Sequence, residues 1–310
     1  MPTEADGSLQ RRGLVAVVLG DWPFVLLAGV LVSLAVAGMV RTFTPVPYWD
    51  SWSGGLGFYL ATLAGDWPAW FRFHNEHRMF LGRVPIWVDW AYFGGLGLVP
   101  LLTNLLLPAA AAVAFSRLLP RDRSGGMTDD DRRAILALIV GLMFWWAQHE
   151  NFTWAFQPAF FLAQLVPLLA LLALGWAQLR GSTALFALAC ALGVASAGTM
   201  ANGVLILPCM FLAGLALGLS NWRQLLLALL AALVMGLYFV GYVTPEQHRP
   251  VWEAPAANPL GYLTYILAYL GGPIAFVGAA PLNMIFGVFA GVCVISVALV
   301  LMIRPRERAV

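Results

Sequence analysis

PFVLLAGVLVSLAVAGMVR, residues 23–41, carries no charge before its last residue and no proline after its first. A helix needs ~20 such residues to cross a hydrocarbon core ~30 Å thick. Arg11 and Arg12 precede the run and no small-residue cleavage site follows it, so it reads as a retained helix rather than a removed leader. Working outward, further apolar runs lie near 96–118, 134–148, 159–178, 183–200, 203–219, 225–243 and 281–303. Those at 134–148 and 203–219 are short and must borrow from their flanks. Composition agrees: 61% of residues are apolar, 10% are charged and mean hydropathy is +0.81, where a soluble domain carries roughly 25% charged residues. The expected fold class is all-α, a polytopic transmembrane helical bundle forming a single domain over 1–310 with about 8 crossings.

Orientation follows from the arginines. The chain has no lysine, so all 17 basic residues are Arg. With the N-terminus inside, Arg11, Arg12, Arg117, Arg121, Arg123, Arg132, Arg133, Arg180, Arg223, Arg304, Arg306 and Arg308 are cytoplasmic. Arg41, Arg72, Arg78, Arg83 and Arg249 are then outside. This is the positive-inside asymmetry, and it places both termini in the cytoplasm. Residues 260–278 are apolar enough for a ninth crossing, but Gly271, Gly272 and Pro273 interrupt them. They read as a re-entrant or interfacial helix, with the ninth crossing as the alternative.

A net charge of +2 without a basic run gives no reason to expect nucleic acid. Cys190, Cys209 and Cys293 fall inside apolar runs with no pairing pattern and read as small packing residues. Residues 1–10 and SGGMTDDD, 124–131, read as polar cytoplasmic segments, in which Thr128 to Asp131 also suit a helix start.

The remaining polarity gathers on the outside. His74, His77, His149 and His248 all fall there, with Asp50, Asp66, Glu76, Asp89, Glu150, Glu246 and Glu253. Ionisable groups at a membrane are costly and point to function. The first external loop, 42–95, opens with YWDSW, 48–52. In its second half Trp67, Trp70, Phe71, Phe73, Phe80, Trp87 and Trp90 alternate with Arg72, Arg78 and Arg83. That mixture predicts one or two amphipathic interfacial helices, an origin that leaves the polar HNEHR, 74–78, unexplained. On a helix, His74 and His77 would share a face with Glu76 turned away. The spacing is not that of H-E-x-x-H, so no metal ligand is assigned. Glu76 or Asp50 suits a general base in a dry cavity, and Arg78 with Arg83 suits a phosphate. A second cluster, HENFTWAFQ, contributes His149, Glu150, Asn151, Trp154 and Gln157; it reads as a hairpin turn or as part of the same site. Asn202–Gly203 reads as a turn. His248 and Arg249 are candidates for a lipid phosphate.

Together YWDSW, HNEHR with Arg83, HENFTWAFQ and MANG (200–203) resemble a group of bacterial multipass proteins of the GT-C glycosyltransferase type. The likeness runs over most of the chain through short motifs. It implies a GT-C-like fold in the bacterial inner membrane and transfer of a sugar, on the non-cytoplasmic face, from a polyprenyl-phosphate donor to a glycan or lipid acceptor. That class carries its acid in the first external loop, where Asp50 stands. It commonly shows a pair there, whereas Asp50 is flanked by Trp49 and Ser51, which makes Glu76 the substitute base. Trp49 and Trp154 would stack on sugar faces. Asn75 and the site histidines and arginines would contact substrate, and a divalent cation, Mg or Mn, is an optional cofactor. The chain is shorter than most of the class, which points to a minimal enzyme or to one half of an envelope-assembly complex. Two rival readings use the same groups without chemistry: a transporter or flippase of a lipid-linked or anionic solute, and a non-catalytic subunit of a polysaccharide assembly complex.

Overall fold

A computed structural model describes residues 20–119, 127–245, 253–272 and 280–303. Among them every regular element is helical and no strand occurs. Each apolar run has become a helix: α1 (Trp22–Thr42), α4 (Leu98–Ser116), α5 (Asp129–Met143), α7 (Pro158–Leu179), α8 (Thr183–Ser196), α9 (Ile206–Leu217), α10 (Asn221–Tyr238) and α13 (Ala280–Ile303). Between them stand α2 (Phe58–Leu63), α3 (Phe80–Phe93), α6 (His149–Thr153), α11 (Glu253–Ala257) and α12 (Pro259–Leu270). Four of these, α1, α4, α7 and α10, are long and apolar enough to cross a membrane. Protein covers only 17% of the apolar window of α1, leaving Val25, Leu26, Val30 and Leu34 exposed. A helix apolar all round needs hydrocarbon about it. The runs of α5, α8 and α9 give shorter helices, of 15, 14 and 12 residues; α8 is ~21 Å long.

The chain forms two compact units, Met1–Ala69 with Leu81–Leu168 and Trp70–Phe80 with Leu169–Val310. In the first, α1 and α5 run parallel. Asp21 pairs with Arg133 at their starts, Gly141 faces Ala28 and Leu31 further along, and Gly38 lies under the Trp146 ring near their ends. A Cβ on Gly38 would fall 1.9 Å from that ring, so the close approach requires glycine. Ala35, Phe144, Phe152 and Phe161 close this core. α4 packs against α5. In α3 the buried residues Gly82, Arg83, Ile86 and Asp89 fall on one helical face.

The second unit is centred on Leu174, Ala177, Phe186, Ala189, Leu207, Met210 and Leu227, contributed by α7 to α10. Cys190 packs here, while Cys209 and Cys293 are exposed. α12 and α13 pair antiparallel, Gly271 against the Asn283 carbonyl and Gly287 against that of Leu267. Of the 260–278 segment, the helix ends at Leu270, and residues 273–278 lie outside the described residues.

Candidate functional site

The site in the first unit begins where α1 ends. The chain leaves Thr42, passes Thr44 to Pro47, and turns at Tyr48–Ser51, with the Ser51 and Trp52 amides donating to the Tyr48 and Trp49 carbonyls at 3.0 Å. Trp49 takes φ +45, a left-handed conformation that bulky residues avoid unless their surroundings impose it. Trp154 does so: its indole N–H is 3.1 Å from both the Tyr48 carbonyl and the Ser51 hydroxyl. Asn104 of α4, fully buried, in turn donates to the Trp154 carbonyl at 3.0 Å. The result is an aromatic trio. Tyr48 and Trp49 stack at 5.3 Å, and Trp154 meets them edge-on at 5.7 and 6.3 Å. Trp49 remains 71% exposed.

The trio walls a cleft of about 270 Å³ that also takes in Thr42, Trp90, Leu101 and Thr153. Two carboxylates line it, Asp89 and Glu150. Asp89 is buried and accepts the Gly97 amide at 2.7 Å and the Val99 amide at 2.9 Å. It therefore caps α4 from outside that helix, meeting its positive end with a negative charge. Glu150 is exposed, and its carboxylate makes no hydrogen bond or ion pair among the described residues. Asp50 is half-buried and stands between the lining residues Trp49 and Ser51, but is not itself in the lining.

HNEHR belongs to the second unit and is not helical. His74 and His77 exchange both main-chain hydrogen bonds, at 2.9 and 3.0 Å, around Asn75 with φ +51. Asparagine tolerates that conformation, and the tight turn replaces the helical face expected for the two histidines. His77 Nδ1 accepts the Ala201 amide at 3.2 Å, so its proton belongs on Nε2, which lies 3.7 Å from the Glu76 carboxylate. The turn thereby docks on the 3₁₀ helix Ala201–Leu205 of the MANG stretch. Arg78 acts as a clamp. Its Nε donates to the Tyr238 carbonyl at 2.8 Å, its Nη1 and Nη2 to the carbonyls of Phe71 and Val240, and its plane lies 4.0 Å from the Phe73 ring centroid. The Tyr238 hydroxyl completes the knot, accepting from the Arg78 amide and donating to the Glu76 carbonyl.

The other candidates are dispersed. Arg83 is buried in the first unit, donating to the Ala69 carbonyl at 2.6 Å with its guanidinium 5.0 Å from the Phe58 ring. His149 opens α6 beside Trp146, Asn151 faces Gln148 at 3.5 Å, and Gln157 is buried. His248 and Arg249 lie outside the described residues. Among the described residues no group of three or more His, Cys, Asp or Glu could hold a metal ion. The first unit thus gathers Trp49, Glu150 and Trp154 with Asp50 adjoining; the second holds His74, Asn75, Glu76, His77 and Arg78. Sequence reading passed over Asn104, Asp89 as a cap, and Tyr238. Asn104 could have been found as the only amide in LLTNLLLP, 101–108. No family model, curated protein or solved structure matches this chain.

Proposed function

We propose that the chain is a GT-C-type membrane glycosyltransferase. It moves a sugar from a polyprenyl-phosphate carrier to a glycan or lipid acceptor on the non-cytoplasmic face of a bacterial inner membrane, with the first unit's cleft holding the sugar. One observation carries this reading: the exposed Trp49 ring is pinned by Trp154 at the mouth of a cleft that contains an uncommitted carboxylate, Glu150, with Asp50 beside it. Aromatic faces suit the apolar face of a sugar ring, and a few convergent polar groups fix its orientation.

In the proposed reaction, Asp50 accepts the acceptor hydroxyl's proton as the new O–C1 bond forms. The C1–O bond to phosphate breaks, and polyprenyl phosphate leaves with the electron pair. Glu150 accepts hydrogen bonds from sugar hydroxyls. Arg41, exposed in the last turn of α1 beside the lining residue Thr42, offsets charge on the departing phosphate; Arg78 is held instead as a clamp. The positive-inside rule supports the placement, because the parallel starts of α1 and α5 carry Asp21, Arg132 and Arg133 while the cleft lies at their other ends. Eight crossings with both termini inside complete this reading.

The test is incubation of the purified protein in lipid with radiolabelled polyprenyl-phosphate sugars. Asp50→Asn is expected to lower transfer about 10²–10⁴-fold, and Glu150→Gln to raise KM. Wild-type turnover in both variants would remove the site. Binding without turnover would favour the transporter or scaffold readings.

A further inference from the structure

Between Asn151 and Pro245 the chain contains no acidic residue and two cations, Arg180 and Arg223. Arg223 is in the first turn of α10 and only 8% exposed. Its guanidinium lies 5.1 Å from the Phe186 ring and 5.4 Å from that of Trp222, and it makes no hydrogen bond or ion pair among the described residues. Its buried Nε has no acceptor. An unpaired buried charge is costly. The position adds to the cost, since a cation in a first turn faces the helix's own positive end.

The neighbouring groups are equally open. Ser220, the N-cap of α10, makes no side-chain cap bond, and the first-turn amides have no acceptor among the described residues. Gln224 is buried, and both polar atoms of its side-chain amide are unpaired among the described residues. The starts of α8 and α5, by contrast, are closed internally: Ser182 accepts the Leu185 amide, and Thr128 accepts that of Asp131. Arg180, exposed, follows Gln178, whose amide reaches the Gly218 carbonyl at 3.4 Å just before Ser220. Trp222 is 52% exposed, as suits an indole at headgroup level.

We infer that Arg223, Ser220 and the open first turn of α10 form a phosphate-binding site whose ligand is the headgroup of an anionic glycerophospholipid. Guanidinium, hydroxyl and helix amides are the donor set that a phosphate takes. The two rings hold the Arg223 plane, and Arg180 adds a second charge at the same end of the unit. This site is independent of the sugar cleft.

The experiment is thermal unfolding of the purified protein in neutral detergent with dihexanoyl-phosphatidylglycerol, dihexanoylglycerol or inorganic phosphate. Phosphatidylglycerol is expected to raise Tm, and the neutral diacylglycerol to leave it unchanged. Arg223→Gln should weaken the apparent Kd for phosphatidylglycerol about tenfold or more, whereas Arg117→Gln should not. Ser220→Asp supplies an internal anion to the same turn; it should raise the lipid-free Tm and abolish the lipid shift, which keeps the test open if Arg223→Gln fails to fold. An equal shift with inorganic phosphate would overturn the lipid assignment. A full lipid shift in Ser220→Asp, or none in the wild type, would overturn the site.

Discussion

Asp89 and Glu150 line the same cleft and differ in every respect that decides a side chain's role. Asp89 is buried and satisfies two amides at the start of α4; Glu150 is exposed and uncommitted among the described residues. Removing Asp89 leaves those amides without acceptors inside the fold. Asp89→Ala is therefore expected to destabilise the protein by about 1.5–3 kcal/mol, the range for hydrogen bonds to a charged group. Glu150→Ala should remain within about 0.5 kcal/mol of wild type, as for exposed positions. Denaturant unfolding in mixed micelles compares the two directly, and equal effects would mean that the cleft carboxylates are not divided between cap and ligand. At this scale the sequence was half legible. Trp49, Glu150 and Trp154 stand out because aromatic and acidic residues are conspicuous among apolar ones. Their union through a single indole N–H does not, because it joins residues more than a hundred positions apart.

Among the elements, the start of α5 was readable and the HNEHR turn was not. Thr128 and Asp131 form a reciprocal capping box, the hydroxyl accepting the Asp131 amide at 3.1 Å and the carboxylate accepting the Thr128 amide at 3.0 Å. Such a box is local, so its spacing in the sequence suffices. HNEHR has helical spacing too, but Asn75 reverses the chain, and what holds the reversal is Tyr238 and Ala201, far along the sequence. The box also titrates. The Thr128 amide, and then its hydroxyl, hold the Asp131 carboxyl below the ordinary aspartate range. A depressed folded pKa gives a contribution that is complete above the unfolded value, ~4, and is lost as pH falls through the lower folded value. Carboxyl ¹³C NMR of labelled protein should show Asp131 titrating below an ordinary aspartate, and Thr128→Ala should move it upward. An unchanged midpoint in that variant would mean that the box does not form in the membrane.

For the molecule as a whole, the apolar runs located the long helices but not the short α2, α6 and α11, and left the count of crossings to the arginines. The packing of the first unit supplies an independent constraint, because α1 and α5 run parallel from the Asp21–Arg133 pair to the Gly38–Trp146 contact. If both cross the membrane, parallel helices need an odd number of crossings between the end of one and the start of the other, and α4, beginning at the cleft and packing against α5, is placed to be that single return. Glycines make the approach possible, and their role is invisible until the partner ring is known. The arrangement predicts opposite accessibility for the two ends of the unit. With Cys190, Cys209 and Cys293 replaced by serine, a cysteine at Thr44, on the cleft rim, should react with a membrane-impermeant maleimide added outside the inner membrane. A cysteine at Asp130 should react only in inverted vesicles. Labelling of both from one side would break the parallel pairing of α1 and α5 as membrane spans. Reversed labelling would keep that pairing and move the cleft to the cytoplasm, where a carrier-linked sugar awaiting transfer outside could not reach Trp49.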